Sequence, residues 1–562
     1  MNSRQPPRRV ASIALASADK MPISLPRGVV VRVLIIFGVV LSLFMLRSYY
    51  TPSSHPYDDA VSTAKSWWTS SSPEASDVDH DRQFKYFSDG DHQQNYDKGP
   101  HLSSEITDFA DPVAPATVPH WATAAPASKA TPSSIPSFDY SIPACRQLPG
   151  ADQVVIIVKT GATEVLARLP EQLLTLAECV PNLMIFSDME QDVGHFHLYD
   201  ALADIGEKWK NTHSDFEFYH DVHKAHAMHG DLSALDSGGG WSLDKWKNIP
   251  MLDQAYEKYP DADWYMTIDA DTYLGWTNLL LLLARLDPNE PFYSGCVYWH
   301  GPTMFAQGGT GYLLSRKAVQ MWEGIRTSTN IEKWEKETST ICCGDVMLGV
   351  SMQEAGVKVS GAWPMFQVDP PCDFSWGADS WCVPAITWHH SHTYDIEALW
   401  DFEKDWINKT WHEGNQPGTV PYMYKDVFEY YVAPNIAENK TDWNNYSGDR
   451  IFTKPTEDHV KEHHDWDNKS DEEKLEMWEG WSEFQKQSVE SCENCRAACE
   501  ADHGCMQFTW QPGTCRHNWS VRMGHAEASK KKYTSGWMMD RVEKHKEKAG
   551  TCTEPKFRID RD

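Results

Sequence analysis

The chain has 562 residues, enough for two or three folded units plus tails, with 41% hydrophobic residues to build cores. Its formal charge of −29 excludes a nucleic-acid-binding surface, which needs basic stripes, so no nucleic-acid partner is expected.

The first residues run against that acidic trend, with Arg4, Arg8, Arg9, Lys20 and Arg27 opposed only by Asp19. Residues 28–46, GVVVRVLIIFGVVLSLFML, are apolar except for Arg32 and Ser42 and are long enough to cross about 30 Å of hydrocarbon. The 27-residue leader is long for a cleaved signal, and Arg47-Ser-Tyr-Tyr is not a small-residue cleavage site. These features predict a cytosolic tail (1–27), an uncleaved signal anchor (28–47) and a lumenal remainder. Thirteen cysteines, all beyond the span, agree with an oxidising compartment. So do glycosylation sequons at Asn408, Asn439, Asn445, Asn468 and Asn518, each expected at the surface.

Residues 48–143 are rich in Ser, Pro, Ala, Thr and Asp and poor in aliphatics, and read as a disordered stem. Folding signals begin at Gln153–Val158, a β-branched run of the kind buried in a parallel sheet. A helical pattern follows over 163–180, where Pro170 is expected to bend or break it, and then a strand over 183–186 that ends in Ser187-Asp188. His220, His223, His226 and His229 recur at spacings of three, as a metal site or as an exposed His-rich helix; no acid or cysteine completes a zinc set. Lys245–Tyr259 predicts an amphipathic helix.

That helix leads into DWYMTIDADTY (263–273), an apolar strand that stops at Asp269 and Asp271. Ligands of open α/β sheets gather beyond such strand ends, and an Asp-x-Asp there suits a hard divalent cation shared with a diphosphate. Dehalogenase-type phosphatases place a nucleophilic Asp similarly, but they carry Thr or Val where this chain has Tyr273. A helix over 279–286, a strand over 292–299, the turn Gln307-Gly308-Gly309-Thr310-Gly311 and a strand from Tyr312 come next. Gly308 and Gly309 would let backbone amides approach a sugar or phosphate, or would simply form a tight turn. Asp345 stands near a helix start, as a cap or as a base facing the cleft. Ile386 and Trp388 end a further strand before His389-His390-Ser391-His392, and Trp299 is a candidate stacking platform for an acceptor sugar.

In the last unit, Cys492, Cys495, Cys499, Cys505, Cys515 and Cys552 make an even set in about sixty residues, expected to form disulfides; a zinc site on Cys492-x-x-Cys495 is the alternative.

Taken in order, KTGAT (159–163), FSD (186–188), WYMTIDADTYL (264–274), FAQGGTGYLLSR (305–316), CGDVMLG (343–349) and TWHHSHTYDI (387–396) resemble the fringe-like and core-1 β1,3-galactosyltransferase group, closest to its fungal members. The resemblance covers about residues 145–405. It implies an α/β, Rossmann-like GT-A fold with a mostly parallel sheet over 144–410, a UDP-sugar donor, Mn²⁺ and transfer with inversion to a glycan or glycoprotein acceptor. Carried onto matching positions, it makes Asp271 and His389 metal ligands, with His390 the alternative on the opposite side of a strand. Asp188, Asp269, Gly308 and Gly309 fall to the donor and Asp345 is the base, although Gly344 stands where many relatives carry a second acid. CRAACEADHGCMQFTWQPGTC followed by SGWMMDRV resembles a PAN/apple-like domain (487–562), with 411–486 as an accessory linker. The combined expectation is a Golgi membrane protein, single-pass and type II, with a lumenal catalytic domain. The alternative is a silent carbohydrate- or protein-binding ectodomain that has kept the fold.

Overall fold

The computed structural model describes residues 143–235, 238–455, 469–527 and 531–560, all within the unit 97–562. The expected tail, anchor, stem and the Asn468 sequon lie outside the described residues. Among the described residues no helix is long and apolar enough to cross a membrane.

Thirteen strands build the head: β1 (Val154–Lys159), β2 (Asn182–Ser187), β3 (Gln191–Val193), β4 (Phe196–Asp200), β5 (Trp264–Asp269), β6 (Tyr273–Leu274), β7 (Tyr293–Gly295), β8 (Val297–His300), β9 (Thr303–Ala306), β10 (Tyr312–Ser315), β11 (Val359–Gly361), β12 (Phe366–Gln367) and β13 (Thr387–Trp388). Eight form the central sheet in the order β11-β7-β10-β5-β1-β2-β4-β3. β1, β2, β4 and β5 run parallel, as does the pair β7 and β11, whereas β10 runs antiparallel to β5 and β7. This is the mostly parallel α/β sheet expected of the head. All six residues of β1 are buried, the reason a continuous Val/Ile run can lie in its centre.

Register decides which groups meet. Lys159 pairs with Asp269 across β1 and β5, and with Phe186 across β1 and β2, so Lys159, Asp188 and Asp269 emerge at one edge of the sheet. Because β10 is antiparallel, with Tyr312 opposite Thr267, the glycine turn before β10 arrives at that same edge. A second, three-stranded sheet, β12-β13-β6, pairs Trp388 with Tyr273 and so carries the histidines after β13 back to the Asp-x-Asp turn before β6.

Helix α1 (Val165–Leu174) runs through Pro170, and the break comes instead at Thr175, whose backbone leaves the helical region while its hydroxyl donates to the Glu171 carbonyl at 2.6 Å. Its buried Gln172 amide donates to the Ala270 and Thr272 carbonyls at 3.0 and 2.9 Å, fixing the Asp-x-Asp backbone. Helices α2 (Gly238–Asp244) and α3 (Asn248–Lys258) precede β5, α4 (Gly344–Glu354) carries Asp345, and α5 (Thr393–His412) follows the histidines. The single strand expected over 292–299 is two, β7 and β8. The Gln307 amide takes the Cys296 carbonyl between them, and β8 leaves the sheet to form a hairpin with β9.

The C-terminal module begins before residue 487. β14 (Lys440–Thr441), β15 (Trp443–Asn444), β16 (Arg450–Thr453), β17 (Gln507–Gln511), β18 (Thr514–Asn518), β19 (His525–Ala526) and β20 (Thr534–Trp537) include a five-stranded sheet, β14-β20-β17-β18-β16, whose members come from both sides of that boundary. Helix α6 (Cys492–Ala501) is stapled to it by Cys495–Cys515, and Cys499–Cys505 closes the next turn. The six cysteines do not form a closed set: Cys552 pairs with Cys382 of the head, and Cys492 is free. Gly361 and Asp560 exchange backbone hydrogen bonds of 3.0 and 2.8 Å, adding the chain end to edge strand β11.

Candidate functional site

At the sheet edge the chain places charges that burial would ordinarily forbid, and it does so in pairs. The Lys159 ammonium lies 2.5 Å from Asp244 and 3.2 Å from Asp269. Lys247 lies 2.5 Å from Asp188 and 3.7 Å from Asp244, and donates to the Thr160 carbonyl at 2.9 Å. Burial alone would lower the pKa of both lysines, but the facing carboxylates, Asp244 and Asp269 for Lys159 and Asp188 and Asp244 for Lys247, hold both above the ordinary value. The run Asp188–Lys247–Asp244–Lys159–Asp269 thus forms one alternating chain of charges at the sheet edge. Asp188 itself is fully buried, and its second oxygen accepts from the Ala162 amide at 3.0 Å. It supports the loop after β1 and offers no exposed oxygen to a donor.

The two acids of the Asp-x-Asp turn are pushed in opposite directions. Burial raises Asp269, against the pull of Lys159. Burial would also raise Asp271, but His389, and then His390, hold it well below the usual carboxylate range. Asp271 Oδ1 lies 3.5 Å from His389 Nε2, and Asp271 Oδ2 lies 3.6 Å from His390 Nδ1 and 4.0 Å from the Arg168 guanidinium. The two histidines do not diverge as neighbours on a strand would. β13 stops at Trp388, His390 takes a left-handed φ of 54°, and both rings turn toward Asp271, stacked at 3.7 Å. The donor atoms of Asp271, His389 and His390 lie within 4.8 Å of one another, a grouping that makes the three candidates to share one cation.

Gly308 and Gly309 separate this trio from Asp345. A Cβ on Gly309 would stand 2.0 Å from His389 Cε1 and 2.2 Å from Nε2, so no other residue leaves room for the imidazole. The Gly308 amide donates to Asp345 Oδ2 at 2.7 Å. The close approach these glycines permit in the structure is to protein side chains. Thr272 and Thr387 pin the turn by donating to the Gly309 and Thr310 carbonyls at 2.6 and 2.7 Å.

Asp345, in the first turn of α4, is half-buried, and its Oδ1 accepts from the Val346 amide at 2.9 Å. Burial pushes its carboxyl up to about 6, against the Gly308 amide and Lys159. That is a range suited to a base at neutral pH. Gly344 has a steric cause: a Cβ there would meet Asn248 Nδ2 at 2.5 Å and the Lys245 carbonyl at 2.6 Å, so this packing of α4 on the α2–α3 connection excludes a second acid. The His-rich helix at 215–227 gathers no metal set among the described residues; His223 Nε2 instead donates to the Asp188 carbonyl at 3.1 Å. Trp299, on the β8–β9 hairpin, is 56% exposed.

Lys159, Asp244, Lys247 and Arg168 were not predicted as site residues. Lys159 alone left a signal, as the one charge ending the apolar run VVIIVK.

A comparison with protein-family models finds none that matches the chain. The Xenopus laevis protein named glycoprotein-N-acetylgalactosamine 3-beta-galactosyltransferase 1 is 33% identical over 132 residues, 23% of this chain and 35% of the relative. The likeness is to a glycosyltransferase. The match spans about a third of that relative's length. Among solved structures, a glycosyltransferase involved in the glycosylation of the major capsid of PBCV-1 aligns at 11% identity over 44% of this chain and 98% of its own, with a TM-score of 0.22, too weak a likeness to carry an argument.

Proposed function

We propose that the protein is a glycosyltransferase of GT-A type that moves a hexose or N-acetylhexosamine from a UDP-sugar to a hydroxyl of a glycan or glycoprotein, with inversion and in β1,3 linkage. One observation carries the reading: the acids ending β5, the histidines after β13 and Asp345 converge on the two sides of a single glycine turn. The 33% identity to a sequence named for β-galactosyl transfer supports the class.

Asp271, His389 and His390 would hold the divalent ion. Their carboxylate and imidazole donors suit Mn²⁺ among other borderline ions, and the buried His389 Nδ1 is without a hydrogen-bond partner. Such an ion, when bound, supplies positive charge to the leaving diphosphate. The remaining work falls to the chain. Asp345, oriented by two backbone amides, accepts the proton of the acceptor hydroxyl as that oxygen attacks the anomeric carbon. Arg168 stands beside Asp271, where a diphosphate would meet a second cation. Lys159 keeps Asp269 paired.

A type II anchor over 28–47, a Golgi location and a lumenal head are part of the same proposal, supported by the basic leader, the apolar run and five disulfides. One stapled helix on a five-stranded antiparallel sheet supports the PAN/apple-like reading of the C-terminal module as a binding unit.

The test is the thermal shift of the full-length protein in detergent with a panel of nucleotide sugars, with and without Mn²⁺, beside Asp271→Asn. Stabilisation by a UDP-sugar that requires both the metal and Asp271 is expected. Stabilisation by no donor, in protein shown to be folded, would replace the proposal with the silent binding ectodomain.

A further inference from the structure

Beyond the catalytic trio the described residues hold another group of ligating side chains. Cys372 lies in the loop between β12 and β13, His392 caps α5, and Asp395 sits in the first turn of that helix. Their donor atoms lie within 4.8 Å of one another. Cys372 and Asp395 are fully buried, while the His392 side chain is a third exposed.

The thiol is the unusual member. Ten of the thirteen cysteines form disulfides, and Cys372 does not. Cys296 is also buried and free, but no imidazole and carboxylate gather around it within ligating range. At Cys372 they do. His392 Nδ1 and Asp395 Oδ2 stand 3.1 Å apart, close to the separation of about 3.3 Å between two donors on a tetrahedral ion with bonds near 2.0 Å. Asp395 is already oriented, by the His392 amide at 3.0 Å and by the Tyr431 hydroxyl on its other oxygen, as ligating carboxylates commonly are. A thiolate with an imidazole and a carboxylate selects a softer ion than the oxygen and nitrogen donors of the catalytic trio.

The neighbourhood comes from both parts of the molecule. The Gly524 amide of the C-terminal module donates to the Cys372 carbonyl at 2.7 Å, which brings His525 alongside, its ring centre 6.5 Å from that of His392 and its Nδ1 held by the Tyr446 hydroxyl at 2.5 Å. Arg522 of the module reaches Asp373 at 3.1 Å.

We propose that Cys372, His392 and Asp395 bind one zinc ion at the junction of the head and the C-terminal module, with its fourth position taken by water or by His525. Binding exchanges the Cys372 thiol proton, released to solvent, for a zinc–sulfur bond, with no change of oxidation state. The site is structural. Its ion would brace the turn 388–392, which also carries His389 and His390, and would tie the module to the head beside the Cys382–Cys552 disulfide.

The experiment is elemental analysis of the full-length protein purified in detergent without added metal, for wild type, Cys372→Ser, Cys296→Ser and Asp271→Asn. About one zinc per chain is expected in wild type, Cys296→Ser and Asp271→Asn, falling about tenfold or more in Cys372→Ser. Zinc-free wild type overturns the proposal, as does zinc that survives Cys372→Ser but is lost in Asp271→Asn, which would put it in the catalytic trio. Cobalt exchange of wild type needs no variant: a thiolate-to-cobalt absorption band is expected, and a cobalt form without it overturns the assignment.

Discussion

The head and the C-terminal module solve the burial of polar groups in different ways. At the head's sheet edge, full charges face one another, Lys159 between Asp244 and Asp269 and Lys247 against Asp188, where the apolar runs of β1 and β5 end in Lys159 and Asp269. In the module, neutral partners do this work: Asn445 is buried, donating to the Phe508 carbonyl and accepting from Ser447, Asn518 donates to Ser520, and even the buried Arg516 guanidinium donates to a neutral group, the Gln511 side-chain oxygen, at 2.8 Å. The difference is instructive because buried charge is costly unless paired, and is tolerated where a site needs fields stronger than neutral dipoles provide.

The sharpest way to break that comparison is at Asp345. Asp345→Asn should lower kcat by about 10² to 10⁴ while UDP and Mn²⁺ still bind. In wild type the rate should fall as pH drops through about 6, because the protonated carboxyl cannot accept the hydroxyl proton. Since this carboxyl titrates higher folded than unfolded, the folded state holds the extra proton between the two values. Its contribution to stability therefore declines as pH rises through that window. Asp345→Asn should accordingly raise the thermal midpoint at neutral pH, an outcome opposite to its effect on rate. An unchanged rate in a folded variant would remove Asp345 from the chemistry.

Next in size is Lys159→Met, which leaves Asp269 without its lysine while Asp244 keeps Lys247, and should cost about 3 kcal/mol in denaturant titration. A loss under about 1 kcal/mol would mean that solvent already compensates these acids. A smaller effect is expected of Gly309→Ala, whose new Cβ would displace the His389 ring. Mn²⁺-dependent UDP affinity, read by calorimetry, should weaken about 10- to 100-fold with little change in global stability. Equal affinity in the alanine variant would show that His389 is not a ligand.

The smallest effect sharpens the comparison from the side of the module. Sequons at Asn445 and Asn518 were expected at the surface, yet both side chains are buried and hydrogen-bonded, whereas Asn408 and Asn439 are exposed. Peptide mass spectrometry after enzymatic deglycosylation should find modification at Asn408 and Asn439 and none at Asn445 or Asn518. Occupancy at Asn445 would mean that the module's sheet forms differently.

Much of the head was legible because its signals are local. The run Val154–Val158 and the strand ending at Asp269 were readable from burial-compatible periodicity, and Asp345 from its place at a helix start. Less of the site was legible. Lys159 and Asp244 are 85 residues apart, and nothing in either neighbourhood marks the other as its partner. The shared direction of His389 and His390 depends on one left-handed residue, and the reason for Gly309 lies in an imidazole eighty positions later. Cysteine spacing likewise suggested a closed set of six, whereas Cys552 crosses to Cys382 because the chain end docks on the head.

Sequence by itself determined the principal strands of the head, β1, β2, β5 and β10, and where carboxylates and imidazoles wait at strand ends, since these follow from side-chain periodicity and from the breaks in it; β3, β4 and the module's strands before residue 487 left no such signal. Tertiary structure decided which of those ends share a site. The antiparallel course of β10 and the pairing of β6 with β13 bring three remote segments to one edge, and only there do burial and facing charges push Asp269 and Asp345 up and Asp271 down. Such shifts depend on distances between groups that the linear order of the chain does not contain.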